Sequence, residues 1–429
     1  MLIFSKIILF FLFFTTSTLQ IEEYCEIDDM VCKGASFKQN YRYLFYDVNP
    51  PEGFNLRRDV YMRYAIWAHK LVLNSRLEYH KYVKLVLPPW SRLYHWRYSE
   101  KPELKPWSYY FDLESLQKFA PVIEMYQFFD DVKKTGSNKV LIDEVYILQH
   151  YEDMFQSGKF IEKMSIEKCN EPVDPNYFYY KNITSNNVKC LSFHGFTDQL
   201  TNLFETSSSK TFLFIHGEVV LHSNFGDKLY WKCRRSMRFN KHLINIANEF
   251  RNKNLNSTDV SDKTELPEDW KEEKPRRTAL GGPYLSVHLR RGDFVRARPK
   301  DTPTISHAAK QIKNRLIDLS INKVFVATDA KINEINELKS ILESDGFQVL
   351  LFEPNKNVLQ KFGDGGVAII EQIICSYSRY FIGTYESTFS FRIQEEREII
   401  GFPVESTFNR FCGGDSFECE PPSKWKIVY

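Results

Sequence analysis

The sequence lacks the short motifs of several common enzyme classes. It has no Asp-x-Asp triplet, which clamps a metal ion in many nucleotide-sugar enzymes, and no Gly-x-Ser-x-Gly elbow of serine hydrolases. Cys-x-x-Cys and His-Glu-x-x-His patterns, which indicate zinc, are also missing. These absences argue against a zinc site and against serine hydrolysis, and they leave no motif for a resident metal or cofactor.

An excess of charge of one sign is missing as well. Lys and Arg number 57 against 55 Asp and Glu, a formal net charge of +2, and no basic stripe marks a nucleic-acid binder. Hydrophobic residues make up 43% and charged residues 26%, which is typical of globular proteins. A chain of 429 residues exceeds what one hydrophobic core usually serves, so we expect two domains.

Long hydrophobic runs are limited to the amino terminus. Residues 7–14 are apolar and small residues follow, so we predict a signal peptide over residues 1–20, with a signal anchor as the alternative. The run is too short to span a bilayer comfortably, and no later stretch approaches that length. We therefore expect no membrane span and a mature protein in the secretory pathway. The glycosylation triplets at Asn182 and Asn256 fit that route, although such triplets also arise by chance.

The eight cysteines suit an oxidising compartment, where disulfides form. Their positions suggest three local pairs, although sequence alone does not fix the connectivity: Cys25 with Cys32, Cys169 with Cys190, and Cys412 with Cys419. Cys233 and Cys375 remain outside these pairs. Cys375 lies in an apolar run, which favours a buried thiol.

Hydrophobic periodicity in the first part of the chain indicates a β-α-β unit. Residues 41–48 alternate as a strand, and residues 57–76 carry apolar side chains at helical spacing. Residues 84–87 form another short apolar run. The unit therefore has a proline-rich loop at the carboxyl end of its first strand.

In the second part, strands alternate with helices after a polar stretch at residues 254–274, which we interpret as a linker or surface excursion. The predicted strands are residues 284–289, 323–327, 348–352 and 380–382, and the predicted helices are residues 332–342 and 367–377. This alternation favours a parallel sheet covered on both faces. We predict an α/β, GT-B-like fold of two Rossmann-like domains facing a cleft, the first over residues 21–250 and the second over residues 251–429.

Polar residues follow two predicted strands of the second part, where ligands of open parallel sheets bind. One strand runs into Arg290 and Arg291, whose planar forks suit a phosphate or form a plain salt bridge with Asp293. After another strand, Ser387 or Thr388 begins a helix whose free amides form an anion site, unless the hydroxyl only caps the helix. Arginines and helix amides would bind phosphate without a metal.

Two further loops contain glycine. Residues 363–366 match neither a Gly-x-Gly-x-x-Gly nor a Walker pattern, so their glycines indicate a tight turn. Glu52 lies between Pro51 and Gly53, on a loop where its carboxylate can accept a proton from a bound hydroxyl. Asn55 adds donor and acceptor groups. The alternative is a solvated surface glutamate.

Taken in order, these segments resemble the GDP-fucose protein O-fucosyltransferase family, in residues 46–61, 279–291, 324–330 and 387–392. The likeness runs from about residue 40 to the carboxyl end. It implies a GT-B fold with GDP-fucose bound mainly by the second domain. It also implies transfer of fucose to Ser or Thr of folded thrombospondin type 1 repeats in the endoplasmic reticulum lumen. The transfer would proceed with inversion and without an essential metal or other cofactor.

By this resemblance Glu52 matches the family's catalytic base, and Arg290 stabilises the leaving diphosphate. The GDP-fucose contacts that it implies are Pro51, Glu52, Gly53, Phe54, Asn55, His288, Leu289, Arg290, Glu371, Ser387, Thr388 and Phe389. The family often has Asp where this chain has Glu371, so the extra methylene either keeps that contact or shifts it.

Two alternatives to this activity stay open. The sister type that fucosylates EGF-like repeats lacks an equivalent acid in the first loop, so Glu52 argues against it. The other is a non-catalytic luminal protein that binds folded repeats and aids their quality control.

Overall fold

The structure is a computed structural model, and its description is limited to part of the chain. The described residues are 41–50, 52–74, 82–91, 93, 96, 104–134, 139–149, 160–170, 172, 174, 176–414, 416–420 and 428. The predicted signal peptide, the Cys25–Cys32 pair and Pro51 lie outside the described residues, so these predictions stay untested.

The first half of the chain forms a seven-stranded sheet with helices around it. In chain order its elements are β1 (Arg42–Tyr46), α1 (Phe54–Leu73), β2 (Val83–Leu87), α2 (Leu113–Gln117), β3 (Val122–Glu124), α3 (Met125–Lys133), β4 (Val140–Ile142), β5 (Glu144–Gln149), β6 (Lys163–Glu167), β7 (Ile183–Ser185), β8 (Val188–His194), α4 (Thr197–Thr206), β9 (Thr211–Ile215), α5 (Lys228–Ser236) and α6 (Lys241–Leu255). The sheet order is β3-β2-β1-β9-β5-β8-β6, and β4 pairs separately with β7. Only β6 runs antiparallel within the described sheet. The parallel β1-α1-β2 unit confirms the prediction.

The second half forms a four-stranded parallel sheet in the order β12-β11-β10-β13. Its elements are α7 (Asp259–Asp262), β10 (Gly282–Leu289), α8 (Phe294–Ala297), α9 (Ile305–Asp318), β11 (Lys323–Thr328), α10 (Ile332–Ser344), β12 (Gln348–Leu350), α11 (Lys356–Ser376), β13 (Ser378–Ile382) and α12 (Thr388–Ile400). All four predicted strands are present, and the helices between them make the parallel crossovers that such strands require.

The polar stretch at residues 254–274 lies largely at the surface and is anchored by a few buried side chains, which fits the surface excursion rather than a free linker. Thr264 and Trp270 are buried. Arg251 of α6 forms ion pairs with Asp259 at 2.8 Å and with Asp262 at 3.4 Å, which ties the start of this segment to α6. The predicted domain boundary after residue 250 falls within α6. The division into two domains itself stays a prediction.

One hydrophobic core extends from the first sheet to the second. It contains Tyr46 of β1 and Trp67 of α1 together with Phe325 of β11 and Ile374 of α11. Helix α1 is buried on most of its surface, because it packs between the first sheet and helices α5 and α12. The two halves are therefore joined by continuous apolar packing, which limits how far they can move independently.

Two of the predicted disulfides are present: Cys169 is bonded to Cys190, and Cys412 is bonded to Cys419. Cys233 and Cys375 are free and buried, as predicted for Cys375. Asn256 is exposed and Asn182 is partly exposed, so both remain predicted glycosylation sites. None of the helices in the described part of the chain is both long and apolar enough to cross a bilayer.

Candidate active site

The Glu52 loop (residues 47–53) joins the carboxyl end of β1 to the start of α1. The Glu52 amide donates to the Asn49 carbonyl at 3.0 Å, and Nε of Arg57 donates to the Glu52 carbonyl at 3.1 Å. Helix α1 begins after Gly53, whose backbone is extended. The backbone of Glu52 is thus held by a turn on one side and by the helix on the other.

The environment of Glu52 differs from that of an ordinary surface carboxylate. Burial and the nearby Glu218 carboxylate raise the pKa of Glu52, and the Arg57 guanidinium partly offsets this rise. Burial also raises the pKa of the neighbouring Asp47 to about 6. A carboxylate with a raised pKa is a stronger base once it is ionised, which is the property that proton removal from a hydroxyl requires.

A cavity of about 1030 Å³, which we call the Glu52 cleft, opens beside this loop. Glu52 and Glu218 line the cleft, and so does an aromatic turn of residues 177–180. Within that turn Phe178 and Tyr179 have positive φ angles of 54° and 63°. Left-handed backbone at two consecutive non-glycine residues is strained, and such strain concentrates at functional sites.

The carboxyl end of β10 carries Arg290 and Arg291, and the structure gives these two arginines different roles. Arg291 is largely buried and pairs through Nη2 with Glu334 at 2.7 Å, so it is committed to the fold. Arg290 reaches Asp293 at 2.7 Å and Asp329 at 3.1 Å. Both of those carboxylates are substantially solvent-exposed, and exposed pairs contribute only about 0–1 kcal/mol. An arriving diphosphate can therefore replace them, so the salt-bridge and the phosphate interpretations of Arg290 are compatible.

His288 is buried and lies two residues before Arg290, near the end of β10. Its Nδ1 lies 2.8 Å from the Ser390 hydroxyl, and its ring stacks on Phe389 with 4.3 Å between the centroids. Burial and the charge of Arg290 lower the pKa of His288 to about 3, so the imidazole is neutral at neutral pH. A neutral ring can bind a nucleotide by stacking and hydrogen bonding, without adding charge.

Helix α12 begins close to these strand ends. The Thr384 hydroxyl accepts the Arg290 amide at 3.0 Å and donates to the His288 carbonyl at 2.7 Å, which clips the end of β10 to the segment after β13. Ser387 is the N-cap residue, but its side chain makes no capping hydrogen bond. Plain side-chain capping therefore does not account for Ser387. The amides and hydroxyls of Ser387 and Thr388 therefore remain a candidate anion site at this helix terminus.

Glu371 lies on α11 of the second half, next to a residue that contacts the first half. It is partly exposed, yet burial raises its pKa to about 8. The next residue, Gln372, donates to Oδ1 of Asn55 at 2.8 Å and accepts from Arg58 at 2.9 Å. The structure thus brings Gly53, Phe54 and Asn55 next to the helix that carries Glu371. The glycine run at 363–366 forms a kink in α11, where Gly363 has a φ of 57°.

A buried ion pair joins α1 and α12, the two helices that follow the Glu52 loop and the candidate anion site. Nη2 of Arg392 on α12 lies 3.4 Å from Oδ1 of Asp59 on α1, and Nη2 of Arg392 lies 3.1 Å from Oε1 of Glu395. His222 lies 3.0 Å from the other oxygen of Asp59. These contacts fix α1 and α12 relative to each other, so the candidate base and the candidate anion site sit on a common frame.

Sequence analysis did not assign roles to some residues that shape the candidate site. Asp329 directly follows β11 and Thr384 lies two residues after β13, so applying the strand-end rule to every polar side chain would have found them. Oδ1 of Asp329 accepts the Arg291 amide at 2.6 Å and so shapes the turn that carries Arg290. Ser390 lies within a helix, and its contact with His288 left no signal in the sequence.

Metal ligands do not cluster among the residues that the structure describes. No three or more His, Cys, Asp or Glu side chains are grouped there in a way that could hold an ion. Metal-independent transfer remains a prediction, which a chelation experiment tests.

A comparison with protein families identifies the family of the chain. The model of the family described as GDP-fucose protein O-fucosyltransferase matches residues 43–400. The chain belongs to this family.

Several curated relatives support the assignment over most of the chain. GDP-fucose protein O-fucosyltransferase 2 of Caenorhabditis elegans is 44% identical over 403 residues, covering 90% of this chain and 90% of the relative. The protein of the same name from Homo sapiens is 43% identical over 412 residues, covering 93% and 92%. Family membership confirms the predicted fucosyltransferase activity and GDP-fucose as the donor.

Solved structures support the fold. The crystal structure of POFUT1 in complex with GDP-fucose superposes with a TM-score of 0.56 at 15% identity, covering 88% of this chain and 98% of that one. At this identity the likeness concerns the fold alone. Together with the two parallel sheets, it confirms the predicted α/β, GT-B-like architecture of this O-fucosyltransferase.

Proposed function

We propose that the enzyme transfers fucose from GDP-fucose to Ser or Thr hydroxyls of folded thrombospondin type 1 repeats, with inversion, and that Glu52 is the general base. The observation that carries the proposal is the position of Glu52, half-buried at the edge of a cleft of about 1030 Å³. That volume exceeds the need of one sugar and suits a folded acceptor. The acid in this loop also separates the chain from the sister type that modifies EGF-like repeats.

On the donor side, Arg290 and the amides at the start of α12 bind the diphosphate. His288 and Phe389, stacked on each other, contact the nucleotide, as does Glu371. Leu289 supports the strand end from within the second core cluster. The diphosphate displaces Asp293 and Asp329 from Arg290 and leaves the buried Arg291–Glu334 pair in place.

The chemical step is a single in-line displacement. The acceptor oxygen bonds to the anomeric carbon as the bond from that carbon to the diphosphate oxygen breaks. Glu52 takes the acceptor proton, and the leaving electron pair remains on GDP. Arg290 and the amides near Thr388 stabilise that growing negative charge, which is the usual role of preorganised donors.

We also propose that the enzyme acts in the endoplasmic reticulum lumen. The disulfides Cys169–Cys190 and Cys412–Cys419 support an oxidising compartment. Immunolocalisation of the full chain, compared with a luminal marker, tests this proposal, and a cytosolic signal would contradict it.

The acceptor is tested by offering GDP-fucose together with a folded thrombospondin type 1 repeat or a folded EGF-like repeat, and measuring the product by intact mass. We expect a mass increase of one fucosyl group only on the thrombospondin repeat. Product only on the EGF-like repeat would favour the sister activity, and binding without product would favour a non-catalytic repeat binder. Unfolded, reduced repeats serve as the control for recognition of a folded acceptor.

A further inference from the structure

The segment that follows β9 makes direct hydrogen bonds to the Glu52 loop. The Gly217 amide donates to the Asp47 carbonyl at 2.8 Å, and the Asn49 amide donates to Oε2 of Glu218 at 3.2 Å. Asn49 in turn accepts the Glu52 amide. A chain of two hydrogen bonds therefore runs from the Glu218 carboxylate to the backbone of Glu52.

Glu218 is itself held from several sides. Nη1 of Arg63 on α1 donates to the Glu218 carbonyl at 2.9 Å, and Nδ1 of His216 lies 3.4 Å from Oε1 of Glu218. A Cβ on Gly217 would lie only 3.0 Å from the Tyr64 ring, so the glycine permits the close approach of this segment. The Glu218 side chain is only 12% exposed.

Two carboxylates with different surroundings thus face one cleft. Burial tends to raise the pKa of Glu218, but hydrogen bonds from His216, from its own amide and from the Asn49 amide lower it below its usual value. Its negative charge then acts on Glu52, to which none of the described residues gives such a stabilising hydrogen bond. Paired carboxylates whose environments separate their acidities commonly divide the work of a reaction.

We propose that Glu218 is a positioning residue for fucosyl transfer: it orients the Glu52 loop through the Asn49 amide, and its fixed negative charge strengthens Glu52 as a base. This inference rests on the proposed role of Glu52. Several charged groups face Glu52 and contribute to the same field: Asp47, Arg57, His216 and Glu218 near the loop, and Asp174 and Lys181 on the cleft wall.

The test is the pH dependence of kcat/KM, whose acidic limb reports the base of the free enzyme. Activity is lost as the pH falls through the pKa of Glu52. In Glu218→Gln the amide oxygen still accepts the Asn49 N–H, but the charge is gone, so we expect the limb to move to lower pH with an unchanged Kd for GDP. Glu218→Ala also frees the loop, and we expect an additional loss in kcat of up to about 10²-fold.

Glu337→Gln makes the same chemical change at an exposed position on α10, and its limb should match that of the wild type. Asp47→Asn is measured in parallel, because the pKa of Asp47 is about 6. A limb that disappears in Asp47→Asn would overturn the inference, as would a limb that stays in place in Glu218→Gln.

The Glu52→Gln variant distinguishes a wrong assignment of the base from a wrong role for Glu218. If Glu52→Gln keeps its turnover, Glu52 is not the base and both proposals fall. If Glu52→Gln is inactive while Glu218→Gln keeps the wild-type limb, only the role of Glu218 is wrong.

Discussion

The side-chain amide of Gln372 donates a 2.8 Å hydrogen bond to Oδ1 of Asn55, across the junction of the two halves of the enzyme. Arg58 completes the arrangement, because its Nη1 donates to Oε1 of Gln372 at 2.9 Å. Asn55 follows the Glu52 loop, and Gln372 follows Glu371. The loop with the proposed base and the helix with the proposed nucleotide contact are therefore aligned by the protein before any substrate binds.

Replacing the proposed base should separate catalysis from donor binding. In Glu52→Gln we expect kcat to fall by about 10²- to 10⁴-fold, the usual contribution of general-base catalysis. The Kd for GDP should stay close to that of the wild type, because the proposed diphosphate site lies in the second half. Steady-state kinetics with a folded acceptor and calorimetric titration of GDP measure the two effects. Near-normal turnover would show that another group accepts the proton.

The neighbouring arginines should respond in opposite ways. Arg290→Ala should lower kcat by about 10²- to 10³-fold, the range for loss of a donor to developing charge, with little change in the unfolding temperature. Arg291→Ala should lower the unfolding free energy by about 1–3 kcal/mol, because it leaves Glu334 without its partner. Kinetics and urea unfolding of both variants test this contrast. Equal losses of stability would contradict the division of roles.

Chelation addresses the predicted metal independence. Enzyme dialysed against EDTA should turn over GDP-fucose and acceptor at an unchanged rate, because Arg290 and helix amides supply the positive charge at the diphosphate. Turnover that stops with EDTA and returns with Mg²⁺ or Mn²⁺ would show that a metal is required.

The sequence predicts the frame of the site well, because strong hydrophobic periodicity marks β1, α1 and the four strands of the second sheet. Strands β3 to β9 were not predicted. Of these, β6 is a mostly exposed edge strand and β7 has only three residues, whereas β5, β8 and β9 are largely buried. Short or exposed strands bury too little apolar surface to impose a pattern.

The sequence could not predict which of the adjacent Arg290 and Arg291 is free of a structural role and so available to a phosphate. The answer depends on Glu334, which lies on α10 far along the chain and pairs with Arg291. The same reason left two interpretations of the polar stretch at residues 254–274. Asp259 and Asp262 in it pair with Arg251 of α6, and local composition does not reveal such partners.

The raised pKa of Glu371 predicts a pH dependence of stability. In the folded enzyme the pKa is about 8, against a usual value near 4.5, so the native state binds more protons than the unfolded state between these pH values. Stability from this group is complete below pH 4.5 and is lost as the pH rises toward 8. The wild type should therefore lose unfolding free energy from pH 5 to pH 8 through this group, and Glu371→Gln should not. The stability of Glu371→Gln relative to the wild type should thus rise over this range, as measured by urea unfolding at each pH.

An equal difference between the two proteins at pH 5 and pH 8 would show that Glu371 titrates normally. Asp345→Asn, an exposed change on the same half of the protein, serves as the control. Saturating GDP should reduce the pH dependence in the wild type if the nucleotide contacts this carboxyl, since a bound donor group favours the ionised form.

The aromatic turn at residues 177–180 should contribute to acceptor binding, and its strained backbone lets this contribution be separated from an effect on stability. Tyr179 is 43% exposed and has a φ of 63°, where a side chain costs about 1–2 kcal/mol and glycine does not. Tyr179→Gly should therefore keep or raise the unfolding temperature. It should also raise the KM for the folded acceptor, because the cleft loses an aromatic surface, and leave the KM for GDP-fucose unchanged.

If Tyr179 had only a structural role, its replacement would lower stability and would not change the KM for the acceptor selectively. Tyr126→Ala is the matched control, because Tyr126 is 50% exposed on α3 and does not line the Glu52 cleft. Tyr179→Asn, which tolerates the left-handed backbone, should behave like Tyr179→Gly. If both variants bind the acceptor as the wild type does, the strain in this turn has no part in acceptor recognition.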